Sequence, residues 1–290
     1  MPSPSEPCVI TPRVLREWPL PVPGGGKDAR GTVLVLGGSR STPGAVLLAG
    51  VAALRSGAGV LQLAVTASTA AALSIEVPEA LVVGLPETDE GSVSGNLPDR
   101  VTDLVAEAAV VAVGPGLDNV DETEQVLRRV LSAAEPGTPI VLDAYALGAL
   151  SRDPALVRGR ERPAVLTPNI TEARYLLGGD PDPDDLMAAA RGIAERYGSV
   201  VSLYGNIVAP DGRAWREESG DAGLGTSGSG DVRAGIVAGL LSRGADPAQA
   251  ACWAAYAHAV SGQRLVPRFG RIGFLARELL DEVPHTLAAV

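Results

Sequence analysis

The chain has 290 residues, 46% of them hydrophobic and 20% charged, with a formal charge of −10. That length can bury the core of one large α/β domain or two small ones. The acidic balance excludes the basic surface of a nucleic-acid-binding protein, and no stretch reaches the roughly 20 apolar residues of a membrane span.

Aromatic residues are only 3%, so the core must be built from Ala, Val and Leu. Cys8 and Cys252 stand far apart with no CxxC pattern, which suggests neither a disulfide framework nor a zinc site. The opening residues lack the apolar segment of a signal peptide, so a cytoplasmic protein is expected. Lys27 is the single lysine; the remaining basic side chains are arginine.

Residues 1–30, rich in Pro and Gly, read as a flexible lead-in, and residues 31–290 as a single domain. "TVLVLGG" (32–38) is a short β-branched run closed by glycines, a buried strand. "PGAVLLAGVAALRSGAG" (43–59) is a helix with Pro43 in its first turn and Gly57 as its stop. "VLQLAV" (60–65) is the next strand, completing a β-loop-α-β unit of a parallel sheet. The alternation resumes with a strand at 109–117, an amphipathic helix at 121–134, and strands at 139–147 and 163–169. A helix at 182–198 follows, with acidic residues in its first turn where the helix dipole favours them. The strand 199–206 leads into a hairpin at 207–217 turning at Asp211-Gly212. Helices are expected at 231–243, 246–265 and 272–282. The fold class is α/β, a mostly parallel central sheet with helices on both faces. Ligands in such sheets sit at the carboxyl ends of strands. Polar punctuation recurs there, at Gly37–Arg40, Gly114–Asp118, Asp143, Asn169, Glu172 and Tyr204–Asn206.

One segment concentrates the chemistry. "GTSGSGDVRAGIVAGLL" (225–241) places Gly225, Gly228 and Gly230 before Asp231 and an apolar helix. The first amides of a helix have no intrahelical acceptors and its dipole is positive there, so glycines let backbone approach a phosphate closely. A carboxylate beside such an anion site makes sense as a general base toward a hydroxyl attacking phosphorus. The helix end is expected to keep Asp231 ionised. The plain alternative is an N-cap behind an ordinary turn. His258, in an Ala-rich helix, reads as a packed residue, and Cys252 as core.

Four collinear segments carry a resemblance over residues 30–284: 225–262, "VLVLGGSRSTPGAVLLAGVAALRSGAGVLQLAV" (33–65), "VVAVGPGLD" (110–118) and "RIGFLARELLDEVP" (271–284). Together they resemble the ADP/ATP-dependent NAD(P)H-hydrate dehydratase family of the ribokinase-like superfamily. The resemblance implies a three-layer α/β/α ribokinase-like fold and a cofactor-repair lyase. Such an enzyme phosphorylates the 6-hydroxyl of NAD(P)H hydrate with ADP or ATP and eliminates phosphate. It implies Asp231 as the base and the amides of Gly228, Ser229 and Gly230 as the anion hole. Ala45, Gly116, Asn169 and Asp231 would bind the hydrated dinucleotide. Tyr204, Gly205, Asn206, Ile207, Val208 and Gly230 would border the nucleotide. Mg²⁺ is expected near Asn169 and Glu172, with NAD(P)H hydrate and an adenine nucleotide as small-molecule partners, and a homo-oligomer, a tetramer by family.

Three positions depart from the family's pattern. Its Thr-Pro-His-x-Gly-Glu is Thr167-Pro168-Asn169-Ile170-Thr171-Glu172 here, its Leu-Lys-Gly is Leu203-Tyr204-Gly205, and its Asp-Ala-Asp-Ala-Leu is Asp143-Ala144-Tyr145-Ala146-Leu147. A tyrosine cannot supply a lysine's charge to phosphate. Arg40 and Arg233 are left as candidate substitutes, with Lys27 too far into the lead-in. Asn169-x-x-Glu172 also resembles ribokinase-like small-molecule kinases, and as plain structure it is a helix start. A kinase acting on another alcohol and a nucleotide-binding homologue without turnover therefore stand as alternatives.

Overall fold

A computed structural model describes residues 6–290 of the chain. In chain order the elements are β1 (Cys8–Val9), α1 (Pro12–Glu17), β2 (Thr32–Leu36), α2 (Pro43–Arg55), β3 (Val60–Thr66), α3 (Ala67–Glu76), β4 (Ala80–Leu85), α4 (Asp99–Glu107), β5 (Val110–Val113), α5 (Val120–Ala133), β6 (Ile140–Leu142), α6 (Tyr145–Leu150), β7 (Val165–Leu166), α7 (Ile170–Leu177), α8 (Leu186–Tyr197), β8 (Val200–Leu203), β9 (Asn206–Val208), β10 (Ala214–Arg216), α9 (Ser229–Ser242), α10 (Pro247–Phe269) and α11 (Ala276–Ala288).

The strands form one sheet in the order β1-β10-β9-β8-β7-β6-β5-β2-β3-β4. From β4 to β8 every pairing is parallel; β9 runs antiparallel to both β8 and β10. Period-2 alternation along β2 explains the layering. Val33 and Val35 join one core with α2, α9, α10 and α11, while Leu34 and Leu36 join the other with α4 to α8. This is the three-layer α/β/α arrangement.

The helix that carries Asp231 is not a surface helix. Every α9 residue except Gly230 and Asp231 is buried, and such an all-round apolar helix belongs inside a core. Gly235 and Gly239 make this possible. A Cβ on Gly235 would strike the carbonyl of Ala49, and one on Gly239 the carbonyl of Ala53, so α9 and α2 pack backbone against backbone.

Two expectations are corrected. The separate lead-in does not hold for residues 8–20. Cys8 and Val9 pair parallel with Trp215 and Arg216 of β10, and Trp18 stacks on Trp215 with centroids 5.6 Å apart. Trp18's carbonyl accepts from Trp253 Nε1 at 2.9 Å and Gln249 Nε2 at 3.0 Å. The first five residues of that lead-in lie outside the described residues. Second, residues 66–108, for which no elements were expected, hold α3, β4 and α4. Alanines in α3 and exposed side chains in β4 blur both periodicities.

Candidate active site

The strand order reverses between β2 and β5, which makes a topological switch point, the usual crevice for ligands in open α/β sheets. The loops leaving these two strands are laced together. The amides of Gly38 and Ser39 donate to the carbonyls of Pro115 and Gly116 at 2.8 and 2.7 Å, and Thr42 Oγ1 donates to the Gly116 carbonyl at 2.8 Å. Glycine is required: a Cβ on Gly37 would collide with the Pro115 carbonyl, and Gly116 has φ +72 with its missing Cβ aimed at the Thr42 carbonyl, close to the Ala45 methyl. Ala45 and Gly116 thus sit together at the mouth of α2.

On the next strands toward β8, three acids converge behind the start of α9. Asp143 follows β6, is buried, and accepts from Thr167 Oγ1 at 2.7 Å. Glu172 lies in the first turn of α7, and Asp231 in the first turn of α9, whose N-cap Gly228 is left-handed at φ 86. Burial, then the charge of Asp143, pushes Glu172 up to about 7. Burial, then Asp143 and Glu172, pushes Asp231 up to about 7 as well. The expectation that the helix end keeps Asp231 firmly ionised is corrected: desolvation and like charges outweigh the dipole. A carboxylate balanced near neutrality suits a general base better than a permanently charged one.

Arg233 supplies the countercharge. It is buried, Nη2 donates to the carbonyls of Thr167 at 2.8 Å and Pro168 at 3.5 Å, and its buried Nε has no partner. Burial lowers its pKa, opposed by Asp143, Glu172 and Tyr204, and a guanidinium retains its proton regardless. Arg40 is not a substitute cation at this point: its guanidinium bonds Glu87 at 3.3 Å and the Asp89 carbonyl at 3.4 Å.

A cavity of about 690 Å³ adjoins the start of α9, lined in part by Asn169, Tyr204, Gly205, Ser229, Gly230 and Arg233. Of the residues expected to border a nucleotide, Tyr204, Gly205 and Gly230 reach it. Ile207 and Val208 do not line it: they are buried strand residues of β9, one in each core, and Asn206 Nδ2 turns back to the Leu203 carbonyl at 3.4 Å. Within the expected anion hole, the Ser229 amide donates to the Thr226 carbonyl at 3.2 Å, which leaves Gly230 and its successor as the first-turn amides without acceptors in that loop. Ala45, Gly116 and Asp231 lie outside the cavity lining, whereas Asn169, expected with them, is part of it.

Residues that sequence reasoning missed also sit here. Glu217 is buried in the cavity wall, accepts from the amides of Ser219 and Gly220 at 2.7 and 3.1 Å, and burial raises its pKa. Its signal was absent, because it ends a strand read as half of an ordinary hairpin. His258, read as a packed residue, both packs and lines the cavity: Nε2 hydrogen-bonds Ser229 Oγ at 2.8 Å. Burial and Arg233 push it down to about 3, so it is neutral. Ala144 and Tyr204 hold φ of 51, an uncommon backbone state for non-glycine residues that clusters at functional strand ends. Tyr145 opens α6 and is exposed.

The two residues expected beside magnesium do not form a resident site for it. Asn169 and Glu172, expected beside the ion, spend their polar atoms on each other. Glu172 accepts from the Asn169 amide and from Nδ2, both at 2.8 Å, and the Glu172 amide donates to Asn169 Oδ1 at 2.9 Å. This is a capping box. Among the described residues no group of three or more His, Cys, Asp or Glu is arranged to hold a metal.

The family described as NAD(P)H-hydrate dehydratase matches residues 33–285. The chain is 43% identical to an ADP-dependent (S)-NAD(P)H-hydrate dehydratase of Xanthomonas campestris over 96% of this chain and 95% of that one. It is 33% identical to a bifunctional NAD(P)H-hydrate repair enzyme of Escherichia coli, over 88% of this chain and 47% of that one. The chain therefore spans about half the length of that bifunctional enzyme. Among solved structures it resembles a Bacillus subtilis ADP/ATP-dependent NAD(P)H-hydrate dehydratase co-crystallised with ATP and Mg²⁺. There the TM-score is 0.82 and the identity 28%, over 98% of this chain and 99% of that one. A ribokinase-like protein of Enterococcus faecalis shares the fold, at a TM-score of 0.83 over 97% and 95% of the two chains with 24% identity. With the fold, the switch-point loops and the glycine-led α9 all in place, the chain belongs to the NAD(P)H-hydrate dehydratase family.

Proposed function

We propose that this protein is an ADP-dependent (S)-NAD(P)H-hydrate dehydratase, a carbon–oxygen lyase that restores hydrated nicotinamide cofactor. The observation that carries the reading is Asp231 poised near neutrality in the first turn of α9, whose start lines the cavity and packs against Leu48 of α2, the helix that carries Ala45. The nucleotide occupies the cavity and the hydrated dinucleotide the switch-point side. Asp231 takes the proton of the 6-hydroxyl as its oxygen attacks the terminal phosphorus. The bond from that phosphorus to the nucleotide's bridging oxygen breaks, with first-turn amides beside Gly228–Gly230 receiving the phosphoryl oxygens. The ring nitrogen's lone pair then expels phosphate from C6, and loss of a C5 proton restores the dihydropyridine. Hydroxide, a poor leaving group, departs as phosphate. Mg²⁺ accompanies the nucleotide phosphates, since it is commonly bound through phosphates and water, and no ligand of this chain is assigned to it. A cytoplasmic setting and a homo-oligomer, a tetramer by family, belong to the same proposal.

The kinase alternative rested on Asn169 and Glu172, and their mutual capping box accounts for both side chains as a helix start, so they do not favour it. Absorbance at 340 nm tests the proposal, with (S)-NADH hydrate, Mg²⁺ and either ADP or ATP. A nucleotide-dependent rise lost in Asp231→Asn is expected. A flat trace from protein that binds ADP would favour the homologue without turnover.

A further inference from the structure

The cavity wall poses an electrostatic problem for an anionic occupant. Glu217, Glu218 and Asp221 line it, and its only basic lining residue apart from the neutral His258 is Arg233. The chain carries −10 overall and a single lysine, Lys27, which lies far along the chain from these elements. Arg233 is held by the Thr167 and Pro168 carbonyls at the end of β7, which fixes the guanidinium beneath the β7–α7 loop while leaving its buried Nε without an acceptor. Burying a polar hydrogen with no partner is unfavourable. Arg233 also lines the open cavity, so its charge lies within reach of an acceptor that comes and goes. The position where the family carries a lysine is Tyr204, on the same cavity and close enough to bias the Arg233 charge.

We propose that Arg233 is the nucleotide-phosphate cation of this chain, moved from the β8–β9 turn onto the buried face of α9. The inference rests on the nucleotide occupying this cavity. It explains how a chain with tyrosine at position 204 keeps a positive charge at the phosphates. Placing the charge on α9 also ties it to the same rigid helix as Asp231, two residues away. A planar fork can meet carbonyl and phosphate oxygens at once, which a lysine ammonium at the end of a flexible stem does less specifically.

The test is calorimetric binding of ADP, AMP and adenosine to wild type, Arg233→Met and Arg233→Lys, each checked for folding by circular dichroism. Arg233→Met should weaken ADP roughly 10- to 100-fold, the worth of one charge-assisted hydrogen bond. AMP should lose less and adenosine least, because the loss follows the phosphates. A second variant, Arg233→Met with Tyr204→Lys, should recover ADP affinity by returning the cation to the cavity. Equal losses for all three ligands, or none, would overturn the proposal and leave Arg233 as the countercharge of Asp143 and Glu172. If Arg233→Met fails to fold, Arg233→Gln takes its place: a loss graded from ADP to adenosine supports the proposal, and unchanged ADP affinity overturns it, while Arg233→Lys, which keeps the charge, should retain more ADP affinity than either neutral variant. Wild type that binds ADP without turnover would sink the dehydratase reading and leave this proposal intact. Wild type with no ADP affinity would sink both.

Discussion

Asp231 and Glu172 are the two acids whose balance sets the chemistry. Both are pushed to about 7 by burial and by neighbouring carboxylates. A base must be deprotonated to act, so kcat/KM should fall as pH drops through about 7 and level off above it. Glu172→Gln removes one of the charges raising Asp231, so the acid limb should move to lower pH; a pH–rate profile of the two proteins checks this. An unmoved limb would mean that another group titrates. Asp231→Asn should lower kcat by roughly 10²- to 10⁴-fold, the usual weight of a general base, with ADP affinity retained by calorimetry. Much of this was legible. The glycine-led loop and Asp231 follow from residue types alone, and Asn169 was already open to reading as a helix cap. The near-neutral balance was not legible, because it depends on Asp143 after β6 and Glu172 in the first turn of α7 being brought near Asp231.

At the scale of elements, α9 and α2 are coupled by the absence of side chains. Alanine is intrinsically better than glycine in a helix by about 1 kcal/mol, yet Gly235→Ala would drive its methyl into the Ala49 carbonyl. Overpacking of this kind should reverse the propensity gain and destabilise by about 1–3 kcal/mol. Since α9 carries Asp231, turnover should fall with it. Urea unfolding and initial rates on the same variant decide; a more stable Gly235→Ala would show that the helices can separate freely. The N-terminal edge offers a second case. Trp18 is partly buried against Trp215, and Trp18→Ala should cost about 2 kcal/mol by loss of stacked aromatic area, read from the urea midpoint. The strand–helix alternation was legible because β-branched runs and glycine stops punctuate it. The order of the sheet was not, since β1 owes its place to partners some two hundred residues away along the chain.

The whole molecule pays for its active site in stability at alkaline pH. Asp231 binds its proton more tightly when folded than when unfolded, where its ordinary value is 3.8. Its contribution therefore favours folding below about pH 4 and is lost as pH rises toward about 7. Asp231→Asn should be the more stable protein at pH 8, by about 2 kcal/mol, and the difference should vanish in acid; urea titrations at the two pH values provide the comparison. Equal midpoints at pH 8 would show that the carboxylate is solvated after all.

The pairing of β1 with β10 has a consequence for how the protein is made. Cys8 and Val9 leave the ribosome early, but Trp215 and Arg216, their partners, follow only after roughly 200 residues, and closing so long a loop is slow. Until then β10 presents an unpaired edge, the kind of template that recruits strands from other chains. Nascent chains should be most prone to aggregation in the interval between completion of β10 and docking of the Trp18 segment onto α10.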